Sequence, residues 1–279
     1  MSSTAMSMKA RINNYAKKHN IAAQIVLQNY MFERFLERLS KSEYKDYFVI
    51  KGGMLIATIV GVDIRSTMDL DMTLRNLLFT EDQITQTIQS ICSVALDDEV
   101  KFSVVSIAPI RKDNRYGGFC VRMDARYDTI ITPLSIDIST GDVLTPSAFH
   151  YEFSGIFDES VLISIWGYNI ETIMAEKVET ILSRGIFSTR PRDYYDIYIL
   201  GTTQKYDKAL FLEALSATAN HRESKPILAN KEAIFKNISE SRDLLERWTK
   251  YQRKFPYAQN ITYEAIIEVL HSLLWPLPS

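Results

Sequence analysis

At 279 residues the chain is long enough for one large domain or two modest ones. Its composition, 46% hydrophobic and 24% charged with 10 Gly and 8 Pro, excludes extensive disorder. A formal net charge of −2 removes any global electrostatic drive toward nucleic acid, so a basic surface must be local. Cys92 and Cys120 are the only cysteines and stand too far apart for a C-x-x-C motif or a disulfide framework, so a reducing compartment is expected. The opening stretch, "MSSTAMSMKARINNYAKK", has no apolar core of signal-peptide type. The longest apolar run, Met54 to Val62, is about half the ~18 residues that span a bilayer. A cytoplasmic protein without membrane contact is expected.

In chain order, residues 21–39 ("IAAQIVLQNYMFERFLERL") carry apolar positions at helical spacing and predict an amphipathic helix. "YFVI" predicts a short buried strand ended by Gly52-Gly53, and "MLIATIV" a short apolar helix. "MDLDMTLR" predicts a strand, and "TEDQITQTIQSICSVAL" a helix capped by Thr80. Three more strands are expected in "KFSVVSIAPIR", "FCVRMDARYD" and "PLSIDIS". Asp113-Asn114 and Gly117-Gly118 supply a turn between the first two. From Ile170 the pattern becomes helical, over residues 170–182, 192–200, 208–219, 232–251 and 261–274. The fold class expected is α/β (α+β): a mixed sheet with flanking helices over residues 1–160, and a mainly helical lobe over 161–279.

The strand "MDLDMTLR" alternates completely. Met68, Leu70, Met72 and Leu74 take one face; Asp69, Asp71, Thr73 and Arg75 take the other. A register slip of one residue would bury both aspartates. Side by side, two carboxylates oppose each other's ionisation unless a cation intervenes. Mg²⁺ suits such a pair, because it takes hard oxygen ligands and keeps positions open for phosphate oxygens. For an isolated D-x-D, an acidic solvated strand face is the commoner explanation. "PLSIDIS" repeats the pattern, with Leu134, Ile136 and Ile138 opposite Ser135, Asp137 and Ser139. If the two strands are sheet neighbours, Asp137 joins Asp69 and Asp71, and three carboxylates are the set that holds metal at a nucleoside triphosphate.

Gly52-Gly53 end a strand and begin an apolar helix, where backbone N–H groups receive phosphate and the missing side chains allow close approach. An ordinary strand–helix turn explains two glycines equally well. The ordered set of strand, Gly-Gly, short helix, then Arg65-Ser66-Thr67-x-Asp69-x-Asp71 is more specific.

On the helix "IETIMAEKVETILSR", Lys177 falls near the centre of the stripe formed by Ile170, Ile173, Met174, Val178 and Ile181. Removing an ammonium from water is expensive unless an anion receives it; the alternative is a packed stem with a snorkelling head. "STRPRDYYDIYIL" places Ser188 or Thr189 as cap, Pro191 in the first turn, Asp193 on the inward face with Ile197 and Leu200, and Asp196 at its edge. Asp193, with Asp196 as second candidate, is expected to orient Lys177 or bind substrate, both helices facing the acidic strands across a cleft. A first-turn aspartate serving only the helix dipole is the bland alternative.

With "FVIKGG", "RSTMDLD", "IDI", "AEK" and "RPRDYYD" in this order, the chain resembles the AbiEii family of toxin nucleotidyltransferases from abortive-infection, phage-defence and type IV toxin–antitoxin systems. The motifs span residues 48–200. The resemblance implies a DNA-polymerase-β-like core joined to a helical lobe, with Mg²⁺ and a nucleoside triphosphate, GTP or CTP, as donor. It implies Asp69 and Asp71 as metal carboxylates, Lys177 as a triphosphate or catalytic contact, and Asp193 as the aspartate of the last motif. It further implies transfer to the tRNA 3′ acceptor end, growth arrest, and a cognate antitoxin encoded nearby. Met54 stands where related sequences often carry Ser or Thr after the glycines, which leaves the phosphate grip to backbone N–H groups or to Ser66 or Thr67.

A basic track for RNA is expected between His221 and Lys254, where nine basic residues face five acidic ones. Tyr251, Phe255 and Tyr257 stand there to stack bases, although core packing explains them too. The rival enzymatic reading is a kinase or NTP hydrolase, against which stands the absence of G-x-x-x-x-G-K-[ST] and of an H-R-D loop. A non-enzymatic nucleotide or RNA regulator is the other rival. Zinc chemistry has no support, because His19, His150, His221 and His271 are dispersed.

Overall fold

The structure, a computed structural model, describes residues 3–110 and 117–275. These divide into two compact units: one runs up to residue 142 and takes in 148–168, and the other holds 143–147 and continues from 169.

The first unit begins with helices α1 (Ser3–His19) and α2 (Ala23–Lys41), followed by β1 (Phe48–Lys51), α3 (Gly52–Val60), β2 (Leu70–Leu74) and α4 (Glu81–Cys92). Strands β3 (Val100–Pro109), β4 (Gly118–Tyr127), β5 (Ile130–Thr140), β6 (Phe149–Ser154) and β7 (Leu162–Gly167) complete it. All seven strands form one mixed sheet in the order β3-β4-β5-β2-β1-β7-β6. Its apolar face, with Phe48, Ile50, Leu70, Met72, Ile136 and Ile138 nearly inaccessible, is where α2 packs on β5 and β7 and α4 packs on β3. Each such side chain contributes about 1.5–3 kcal/mol on burial. Thr80 caps α4 as expected, its hydroxyl accepting from Gln83 N–H.

Several expectations change. Helix α1 was not anticipated, although Ala5, Met8, Ile12 and Ala16 recur at helical spacing and are buried. Strands β6 and β7 were also missed. The predicted amphipathic helix α2 is instead buried on all sides from Tyr30 to Leu39. Its charges are paired: Arg34 with Glu33 at 2.5 Å and Glu37 at 2.6 Å, and Arg38 with Asp98 through two 2.7 Å hydrogen bonds. Met68 is not on the apolar strand face. It lies before β2 and is 44% exposed, because Gln28 Nε2 and Asn29 Nδ2 hold the Met68 and Thr67 carbonyls at 2.8 and 2.9 Å and delay the start of the ladder. Gly118 opens β4, while Asp113 and Asn114 of the expected turn lie outside the described residues.

The second unit is helical: α5 (Ile170–Arg184), α6 (Pro191–Thr203), α7 (Lys208–His221), α8 (Lys225–Ala229), α9 (Lys231–Ser239), α10 (Arg242–Lys254) and α11 (Tyr263–Leu274). Helix α5 packs on α6 and α7, and α6 on α10 and α11. The single helix expected over residues 232–251 is broken, because Ser241 caps a new helix by accepting from Leu244 N–H. Neither Ser188 nor Thr189 caps α6: Arg190 occupies that position with no side-chain cap bond, and Pro191 follows. Among the described residues no helix is long and apolar enough to cross a membrane.

Candidate active site

In the first unit, β2 and β5 are parallel neighbours, and Asp71 is the register partner of Asp137. Register partners share a face of the pleat, so the two carboxylates stand side by side on the sheet face opposite the apolar core. Lys51 faces Asp71 from β1, and Cys120 faces Asp137 from β4. The thiol at Cys120 lies 3.2 Å from Ser135 Oγ. Burial pushes that thiol up, the Ser135 hydrogen bond draws it back, and the neighbouring Asp137 carboxylate raises it again. Asp69 is exposed and immediately precedes the strand.

The glycine turn is fitted to this row. Gly52 has φ +67°, and a Cβ built on it would stand 2.2 Å from Asp71 Oδ2 and 2.9 Å from Asp71 Cγ. Asp71 therefore leans over the start of α3, in space that only glycine leaves. A Cβ on Gly53 would meet Thr67 Oγ1 at 2.9 Å and Arg65 Nη2 at 3.2 Å. The loop bearing Arg65, Ser66 and Thr67 thus closes on the second glycine, with all three residues buried. Arg65, only 3% exposed, donates from Nη1 to the Ser66 carbonyl. Met54 is buried in α3.

Asp71 and Asp137 fit a hard divalent cation in donor chemistry: they are carboxylates on adjacent rigid strands. Among the described residues, no three His, Cys, Asp or Glu side chains group closely enough to hold a metal. Mg²⁺ asks for less than that, taking one or two carboxylates and completing its shell with water and phosphate.

Residues that sequence reasoning did not single out complete the unit's polar face. Lys51 donates to Ser139 Oγ at 2.7 Å and pairs with Asp142. Asp142 also accepts from Ser139 Oγ at 2.8 Å and Tyr168 OH at 2.7 Å. Burial favours the neutral acid, but Lys51, then Tyr168 and Ser139, outweigh it and bring the Asp142 carboxyl down to about 2. A folded value below the unfolded 3.8 means this stabilisation is present above about pH 4 and is lost as pH falls toward 2. Asp142→Asn is expected to remove on the order of 2 kcal/mol of it at neutral pH. Urea unfolding of the two proteins should converge between about pH 4 and 2. Gln28 and Asn29, buried polar residues on α2, hold the motif loop, a role visible only once α2 is seen beneath it.

The second unit brings Lys177, Asp193 and Asp196 together. Lys177 Nζ lies 2.7 Å from Asp193 Oδ1 and 2.9 Å from Asp196 Oδ2, with 12% of its side chain exposed and the carboxylates at 1% and 0%. Asp196 is thus as buried as Asp193 and lies within the inward face, not at its edge. Arg190 Nε is a second cation on Asp193, at 2.6 Å from Oδ2. Burial alone would push the ammonium down; Asp196 and then Asp193 outweigh it and hold Lys177 above its ordinary value. Tyr251 and Tyr257 pack against Tyr195 of α6, with Tyr251 buried beside Trp248, so Tyr251 serves the core. Within the basic stretch, Arg222 is taken by Glu176 and Glu179, whereas Arg242, Arg247, Lys250, Arg253 and Lys254 of α10 are exposed.

Two solved structures from Helicobacter pylori share the fold. A proposed nucleotidyltransferase matches with TM-score 0.54 and 14% identity, covering 91% of this chain and 94% of that one. The protein JHP933 matches with TM-score 0.51 and 14% identity, covering 91% of each. No curated protein matches the chain. The model of the nucleotidyl transferase AbiEii toxin family matches residues 34–269, which contain both the carboxylate row and the buried lysine triad. The chain therefore belongs to the AbiEii nucleotidyl transferase toxins of type IV toxin–antitoxin systems.

Proposed function

We propose that this protein moves a nucleoside monophosphate from a Mg²⁺-bound nucleoside triphosphate onto an RNA hydroxyl, the tRNA 3′ acceptor end being the preferred acceptor. The observation that carries this reading is the registered Asp71–Asp137 pair, with the Asp71 carboxylate seated against Gly52 at the start of α3. Asp71 and Asp137 would hold Mg²⁺, which when bound offsets triphosphate charge and polarises the reacting oxygens. The residues of the chain orient and bind. Gly52 admits the Asp71 carboxylate at the start of α3, and a phosphate is proposed to meet the backbone N–H groups there beside it. Ser66 and Thr67 supply hydroxyls from the adjoining loop, and the buried Arg65 keeps that loop on Gly53.

The acceptor hydroxyl oxygen forms its bond to the α-phosphorus as the bond from that phosphorus to the α,β-bridging oxygen breaks; the hydroxyl proton goes to solvent and pyrophosphate leaves. In the second unit, Lys177 is proposed, by family resemblance, to serve the reaction as a cation, with Asp193 and Asp196 fixing it. The exposed basic face of α10 is proposed to meet RNA phosphates, which would make acceptor binding strongly salt-dependent. As a toxin of this family the protein is proposed to arrest growth in the cytoplasm until a cognate antitoxin neutralises it.

The test is incubation of folded protein with each α-labelled nucleotide, GTP and CTP first, Mg²⁺ and a tRNA pool. Labelled tRNA together with pyrophosphate is expected. Label on neither RNA nor protein for any nucleotide would remove the transferase reading, and free phosphate as product would favour the hydrolase or kinase.

A further inference from the structure

Beyond Asp137, the polar face of the first unit's sheet continues over β4 and β3. Along β4, Cys120, Arg122, Asp124 and Arg126 alternate onto that face, because Cys120 is the register partner of Asp137 and side chains two residues apart point the same way. Arg122 is therefore one step, roughly 7 Å, from the level of Asp137, and Arg126 stands roughly 14 Å further along. Both are exposed. Lys101 of β3, also exposed, is the register partner of Arg126. Like charges directly opposed on antiparallel strands weaken a sheet. The strands do little to offset them: β3 has no acidic residue, β5 has only Asp137, and Asp124 is the one acid on β4.

We infer that Arg122, Arg126 and Lys101 form the track on which the single-stranded 3′ end of the acceptor RNA lies, its phosphates held by the two arginines while its terminal hydroxyl reaches the Asp137 side of the carboxylate row. The inference rests on the RNA-acceptor reading under the proposed function. Charge selects a polyanion, since guanidinium planes receive phosphate oxygens in pairs and an anion between Lys101 and Arg126 relieves their repulsion. Position selects the acceptor, since the row begins one step from Asp137, where the reacting hydroxyl has to arrive. An acidic protein surface would satisfy the charge but not the place.

The test is equilibrium binding of the full chain to a short labelled single-stranded RNA with a free 3′ hydroxyl, repeated across a salt series. At about 0.15 M salt, Arg122→Gln/Arg126→Gln is expected to bind about tenfold more weakly. The slope of log affinity against log salt should fall by about 1.4, because each phosphate contact to a single strand contributes about 0.7. Arg122→Lys/Arg126→Lys keeps both charges and should keep the slope. If the glutamine variant does not fold, Lys101→Glu gives Arg126 an internal partner and should weaken binding by about threefold, with a melting temperature at or above that of the wild type. Unchanged RNA affinity and slope in the folded variants overturns this inference alone and leaves the face to an acidic protein partner. Loss of Mg²⁺-dependent nucleotide retention in folded Arg122→Gln/Arg126→Gln would assign the arginines to the donor, and overturns it equally. A wild-type chain that binds no RNA in this assay overturns the RNA-acceptor reading, and this inference with it.

Discussion

Gly52→Ala is expected to reduce nucleotide transfer by about 10²–10³-fold, far more than its effect on stability, because it moves the carboxylate proposed to hold the metal. The new Cβ would stand 2.2 Å from Asp71 Oδ2, a separation no folded structure tolerates, so the carboxylate must leave its place over α3. The φ of +67° adds roughly 1–2 kcal/mol of left-handed strain for a residue with a side chain. Gly185 supplies the control. Its φ is +50°, yet a Cβ there meets nothing within 4 Å, so Gly185→Ala isolates the strain. Steady-state transfer and thermal unfolding on both variants separate the two effects. Equal losses of activity in the two would mean that Asp71's position does not matter.

Lys177→Met should destabilise the second unit by about 3–5 kcal/mol, the usual result of removing one partner from a buried charge cluster. The reason lies in the arrangement. Two carboxylates with 1% and 0% exposure share this ammonium, and taking it away leaves like charges facing each other in the core. Methionine keeps the volume, so the loss reports charge and not a cavity. At about 2–4 °C per kcal/mol, the melting temperature should fall by roughly 10 °C. The triple variant with Asp193→Asn and Asp196→Asn should recover most of that stability without recovering transfer. An unchanged melting temperature in Lys177→Met would contradict the triad as the tie between α5 and α6. The consequence for function is practical: loss of toxicity in a Lys177 variant speaks to chemistry only when the variant is folded at the assay temperature.

What could be read from the chain follows the strength of each periodic signal. The alternation in "MDLDMTLR" and "PLSIDIS" fixed which side chains share a face, and the pairing of β2 with β5 then placed Asp71 against Asp137 as expected. Asp193 was recognisable as an inward aspartate because its helix carries Ile197 and Leu200 on the same side. Asp196 looked peripheral, since a helical wheel does not reveal that α5 presents a cation there. Strands β6 and β7 do alternate, but six residues carry that signal weakly, and β7 is ordered by a parallel pairing with the distant β1. Met68 obeyed the strand pattern and still lies outside the strand, because Gln28 and Asn29 hold the preceding loop. The Lys51–Asp142 link joins residues far apart in sequence, and no spacing rule would have suggested it.

The carboxylate row is tested most directly by equilibrium binding of a labelled nucleoside triphosphate with and without Mg²⁺, to the intact protein and to Asp71→Asn and Asp137→Asn. Nucleotide retained only when Mg²⁺ is present, and lost in both variants while their thermal unfolding stays cooperative, is the outcome this account predicts. Retention that ignores Mg²⁺, or that survives both substitutions, would contradict it.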